Sequence, residues 1–291
     1  MNRHPLLAYG LLAPALLWLG GVLLASVWYL IGQSLSNERV LGGEREFVGL
    51  AQYREVLLDP SFWQAGWRTL LWVVGNVVLQ TVLSLGAALL LYRSRRLAWF
   101  NIWVVLPWIV PTVVAVIIWR WMLSSIGIVN QAIQAVGLSQ EPVAFFGSGT
   151  VALLTLMLIN SWKFFPLGTV ILVAALRSIP ATLVEAARVD GASEAQVFWR
   201  VQLPLLQPVM YVLGLVGPLW AVNVFELPWL LTRGGPGDAT LTWPLHIYLE
   251  AFGRFEIGLA AAASLVVSLV LMGFVGLYLK TGWGRALREE Q

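Results

Sequence analysis

The chain alternates long apolar runs with short polar connections. Six runs are long enough for a helix to cross a bilayer, which takes about 20 mostly apolar residues. They cover roughly residues 6–32, 68–92, 100–123, 150–176, 205–231 and 257–280. The first reads LLAYGLLAPALLWLGGVLLASVWYLIG and is too long, with too weak a basic start, for a cleaved leader, so an uncleaved first span is expected. The third carries Pro107 and Pro111 on either side of Trp108, and prolines at these positions bend a helix, either as a gate or as a packing adjustment. Between the first two runs, GLAQYREVLL sets Leu50, Tyr53, Val56 and Leu57 at helical spacing, which predicts a short helix lying at the membrane surface, followed by Phe62, Trp63 and Trp67. No internal repeat of 20–50 residues is evident.

Composition agrees with this pattern. Of 291 residues, 59% are hydrophobic and 11% charged, under half the charge of a soluble domain. The expectation is an all-α polytopic membrane protein, one transmembrane domain over 1–291 with six helices. The distribution of Lys and Arg sets its orientation. With both termini cytoplasmic, ten positives fall on inner segments and six on outer ones, and YRSRR after the second run is the strongest single indication. Cysteine is absent and there are two histidines, so no thiolate, iron–sulfur or His-rich metal site is expected. The net charge of +3 is scattered and calls for no nucleic-acid partner. The lysines Lys163 and Lys280 each follow a residue other than glycine, so the chain has no G-K-[ST] phosphate-binding loop and no ATPase activity is expected of it. No H-E-x-x-H motif or pair of intramembrane carboxylates suggests another enzyme.

Polar residues inside apolar runs need a reason. Asn76 and Gln80 share one face of the second run. Asn160, Trp162 and Lys163 lie together in the fourth, and Trp220, Asn223 and Glu226 on one face of the fifth, while Arg120 lies near the end of the third. Two readings stand. Amides and rings suit a sugar pathway, lined by Asn160, Trp162, Lys163, Trp220, Asn223 and Glu226. The same amides equally serve as interhelical glue, with Lys163 and Glu226 neutralising each other and Arg120 reaching the headgroups.

The polar segment 177–204, RSIPATLVEAARVDGASEAQVFWRVQLP, carries the most information. Pro180 suits a first helical turn, and Leu183, Ala186, Ala187 and Asp190 follow at helical spacing. Gly191 suits a left-handed C-terminal residue. Ser193 and Gln196 have capping-box spacing for a second helix bearing Val197, Phe198 and Val201, with Pro204 expected to stop it. Two short helices with an exposed apolar edge suggest a docking surface.

Glu185-Ala186-Ala187, three residues, Gly191, nine residues, Val201, one residue, Leu203-Pro204 resembles the EAA loop of ABC-importer permeases, with Val201 in place of Ile. Asn160–Pro166, Leu231–Pro236, Ile247–Phe252 and Ala260–Ser264 resemble the maltose/glycerol-3-phosphate type of carbohydrate permease, so the resemblance covers residues 6–280. It implies a type I ABC importer permease fold in a bacterial inner membrane. It implies coupling to a separate ATPase through Glu185, Ala186, Ala187, Asp190, Gly191, Phe198, Leu203 and Pro204. The implied partners are a second permease subunit, two ATP-binding subunits holding ATP and Mg, an extracytoplasmic sugar-binding protein docking near Thr232–Thr240, and a carbohydrate substrate. A self-sufficient ion-coupled carrier is the alternative, and it predicts repeats and deep coupling carboxylates.

Overall fold

The structure is a computed structural model that describes residues 5–37, 46–93 and 99–286. Its helices are α1 (Pro5–Ser34), α2 (Ala51–Leu58), α3 (Pro60–Arg93), α4 (Phe100–Ile109), α5 (Thr112–Met122), α6 (Ile128–Ala135), α7 (Gly149–Ser178), α8 (Ala181–Val189), α9 (Glu194–Val197), α10 (Leu203–Val222), α11 (Glu226–Thr232), α12 (Trp243–Tyr248) and α13 (Ile257–Ala286). A π-turn over Phe198–Gln202 joins α9 to α10, and another over Leu249–Gly253 follows α12. A two-residue ladder pairs β1 (Ser36–Asn37) with β2 (Glu46–Phe47), Ser36 opposite Phe47. Five helical segments among the described residues are long and apolar enough to cross a bilayer, and α4 with α5 makes a sixth if the bent pair counts as one span.

Prolines decide three departures from the sequence expectation. The run at 100–123 breaks at Val110-Pro111, and its halves meet at 101°. Val110 is extended, at φ −61° and ψ 127°, because the residue before proline is pushed out of the α region. Pro107, by contrast, sits within α4. At Pro204 the expected stop does not occur. Leu203 N–H reaches back five residues to the Phe198 carbonyl, and this widened turn makes room for the proline ring. The helix therefore runs on from Glu194 to Val222. The run at 205–231 is likewise not one helix. It ends at Val222 and restarts at Glu226, with Pro228 in the first turn of α11. A continuous helix would drive Pro228 into the Val224 carbonyl.

The chain forms two compact units. One comprises residues up to Trp63 with His246–Met272. In it α2 forms over the expected residues, with Val56 buried and Leu50 and Leu57 exposed. Asp59 and Pro60 then start α3 by the usual rule, the Asp59 carboxylate accepting from Ser61 N at 2.8 Å. Behind this cap lie His246 Nε2, 4.0 Å from Asp59 and 3.7 Å from Glu250, and Arg254, paired with Glu250 at 2.7 Å. Burial pushes the Asp59 carboxyl up, but hydrogen bonds from Ser61 and the His246 charge leave it below the ordinary carboxylate value.

The other unit comprises Gln64–Leu245 and the chain from Gly273 on. One apolar cluster unites Trp72, Val116, Leu123, Leu156, Met157, Ile159, Leu227 and Leu231. A second unites Ala88, Leu172, Leu176, Ile179, Val184, Val197 and Leu206. Helices α3 and α7 come close where small residues face larger ones. A Cβ on Gly75 would meet Met157 Sδ at 2.6 Å, and one on Gly168 would meet Ser84 Oγ at 2.6 Å.

Candidate functional site

The polar segment folds as two helices joined at a tight corner. Gly191 N–H donates to Arg188 O and Ala192 N–H to Ala187 O, both at 3.0 Å. These are the two bonds of a Schellman motif. Gly191 has φ +83° and open space where a Cβ would lie, so its backbone conformation alone requires glycine. Ser193 and Gln196 exchange both capping-box bonds, at 3.3 and 2.8 Å. Arg188 spans the corner to Glu194 with bonds of 2.8 and 3.3 Å, and the bond and charge of Glu194 hold its guanidinium above its ordinary pKa. Arg93 adds a 3.6 Å contact to Glu194.

This element is anchored by Val184, Val197 and Phe198, all buried. Glu185, Ala186, Asp190, Gly191 and Pro204 are exposed, and Ala187 and Leu203 half-buried. Phe198 thus faces inward. The exposed apolar surface is instead Leu183, Trp199 and Val189, the last 88% exposed. Neither Trp199 nor Val189 stood out in the sequence: Trp199 lies within the π-turn, where helical spacing does not hold, and Val189 ends α8.

The intramembrane polar residues divide into two groups. Lys163, buried in α7, donates to Val110 O at 2.6 Å and so satisfies a carbonyl freed by the break before Pro111. Arg120 Nη2 donates to Leu230 O at 3.2 Å and Leu231 O at 3.0 Å, closing the C-terminal end of α11 rather than reaching for headgroups. Trp162 packs edge-on against Trp119, with centroids 5.4 Å apart. Glu226 is exposed in the first turn of α11, beyond the break, so the single face expected for Trp220, Asn223 and Glu226 does not exist.

Asn160, Trp220 and Asn223 do come together. They line a cavity of about 340 Å³ with Gln80, Thr81, Ser84 and Phe164. Lys163, Trp162 and Glu226 are not on its wall. Asn76, buried next to it, donates to Trp72 O at 2.8 Å and accepts from Asn160 at 2.6 Å and Ser161 at 3.3 Å, which ties α3 to α7. Trp72 Nε1 donates 2.9 Å to Ala221 O at the end of α10. This bond joins residues 149 apart in sequence, and no local pattern announces it.

A sequence model of the family described as binding-protein-dependent transport system inner membrane component matches residues 80–283. The chain belongs to this family. The permease is 34% identical over 254 residues to the trehalose/maltose transport system permease protein MalF of Thermococcus litoralis, covering 86% of this chain and 84% of that protein. It is 30% identical to the sulfoquinovosyl glycerol transport system permease protein SmoG of Agrobacterium fabrum, covering 94% and 90%. Its fold matches a chain of a bacterial alginate ABC transporter, solved in complex with an alginate pentasaccharide-bound periplasmic protein, at TM-score 0.79 and 22% identity over 94% of this chain and 92% of that one. The permease is therefore a multi-pass membrane component of a transport system and not an enzyme.

Proposed function

We propose that the chain is one of two membrane subunits of an ATP-driven, binding-protein-dependent carbohydrate importer. The observation that carries this reading is one continuous helical segment with a docking element at one end and a ring-and-amide cavity at the other. Residues Glu194–Val222 run from the two-helix corner past Trp220, a length of about 43 Å at 1.5 Å per residue. The relatives' names for trehalose, maltose and sulfoquinovosyl glycerol support the substrate class.

In this mechanism two ATP-binding subunits hold ATP and Mg, and one of them grips the exposed surface of α8 around Glu185, Leu183 and Val189, with Trp199 beside it. Their closure displaces the corner, and the continuous helix carries the displacement to the cavity wall at Trp220 and Asn223. Helix α13 follows, because Tyr211 and Tyr278 stack at 4.6 Å and each hydroxyl donates to the other's carbonyl, at 2.8 and 2.9 Å. An extracytoplasmic sugar-binding protein delivers substrate on the opposite side, near Thr232–Thr240. That loop is built to hold a shape, with Thr240 bonded to Gly235 O at 2.9 Å and to Thr232 Oγ1 at 2.7 Å. Both termini are cytoplasmic in this arrangement.

Asn223→Ala tests the cavity. The expected result is lower sugar uptake by a complex that still assembles with its ATPase. Unchanged transport kinetics in that variant remove the cavity from the pathway.

A further inference from the structure

We infer that the cavity of this chain takes an uncharged, hydroxyl-bearing sugar and rejects sugar acids and sugar phosphates; the inference rests on the carbohydrate reading above. The first observation is the absence of charge. No Asp, Glu, Lys or Arg lines the cavity among the described residues. The intramembrane cations nearest in sequence are committed elsewhere, Lys163 to the Val110 carbonyl and Arg120 to the carbonyls of Leu230 and Leu231. Arg233 lies over the Trp229 ring at 5.5 Å. An anion entering here leaves water without gaining a counter-charge, which is strongly unfavourable.

The second observation is the direction of the amides. Asn76 Nδ2 is bound to Trp72 O, so its oxygen faces Asn160, and Asn160 must present its nitrogen there. Asn160 is 1% exposed, and its Oδ1 has no partner. Gln80 Nε2 is turned to Asn76 Oδ1 at 3.4 Å, and Asn223 Nδ2 to Leu219 O at 2.7 Å. Asn160 Oδ1 is thus enclosed behind the cavity, while the Gln80 and Asn223 amides, each with one N–H engaged, keep an uncharged acceptor and a second N–H. Ser84 spends its proton on Phe165 O at 2.8 Å and keeps its lone pairs. Such a wall offers uncharged donors and acceptors together, with Trp220, Thr81, Gln80 and Asn223 on it. Sugar hydroxyls supply donors, with Trp220 and Phe164 available for the C–H face of a ring. Carboxylate, sulfonate and phosphate groups carry a charge that the same wall does not neutralise.

The test uses the complete importer in proteoliposomes with its capture protein and internal ATP. It is offered, together, neutral mono-, di- and trisaccharides, uronic-acid oligosaccharides with glycerol 3-phosphate, and a mixture of amino acids. Mass spectrometry of the washed vesicles identifies what accumulates. Accumulation of neutral sugars at least tenfold above the anionic set, reduced severalfold by Asn223→Ala, is the expected result. Accumulation of the anionic set at equal or greater level overturns the inference and leaves the carbohydrate reading standing. Accumulation of amino acids only, or of nothing, overturns the carbohydrate reading and the inference with it. Neutral uptake untouched by Asn223→Ala overturns the assignment to this cavity.

Discussion

Substitution of Gly191 separates backbone conformation from sterics at the corner between α8 and α9. A Cβ at this position meets no atom within 4 Å, so the cost of alanine comes from φ +83° alone. A left-handed non-glycine residue costs roughly 1–2 kcal/mol. With 1.4 kcal/mol worth about a factor of ten in an equilibrium, the population of the intact Schellman corner falls by about fivefold to thirtyfold relative to its opened form. Asparagine tolerates the left-handed region and is expected to cost less. Proline fixes φ near −65° and deletes the N–H that bonds Arg188 O, so the corner cannot form. The expected order of coupling is therefore glycine, asparagine, alanine, proline. The assay is ATPase activity of the purified complex with and without loaded capture protein, alongside co-purification of the ATPase to score assembly. Normal stimulation in Gly191→Pro, or asparagine no better than alanine, would show that the left-handed backbone at Gly191 does not govern coupling.

Three further outcomes are expected. Trp72→Phe removes the buried bond to Ala221 O, which keeps a 3.3 Å bond from Val224 N–H, so the loss is about 0.5–1.5 kcal/mol, read as a lower melting temperature of the purified complex. Lys163→Met orphans the Val110 carbonyl at the break between α4 and α5, so it lowers thermal stability while the KM for sugar stays within about twofold; a large KM change with normal melting would return Lys163 to the substrate pathway. Asp59 has a folded pKa below its ordinary value, so its contribution is present above the ordinary carboxylate value and is lost as pH falls through the folded pKa. Asp59→Asn should therefore flatten the acid side of the stability profile, and an unchanged profile would show that the cap contributes nothing.

Local pattern was sufficient for much of the two-helix element at 177–204. Gly191 at the corner and the Ser193–Gln196 capping box appear where their residue types demand, because each depends on neighbours within five positions. The surface helix α2 was legible for the same reason. Reading apolar length alone was less reliable at prolines, where hydropathy is blind to geometry. Pro111 splits a run at 101°, Pro204 is absorbed by a π-turn, and Pro228 begins a new helix.

Residue order alone was enough to show a helical membrane protein whose scarce charge is kept almost wholly out of its apolar runs. Composition and short-range spacing are sufficient for that, since bilayer solvation acts on each residue independently. Only the tertiary structure decided which polar residues face the cavity. Asn160 and Asn223 reach its wall, while Lys163 and Arg120 are drawn to carbonyls freed at helix breaks. The reason is that an unpaired backbone group in hydrocarbon must find a donor wherever the fold brings one close, and that proximity is set by packing between helices far apart in sequence.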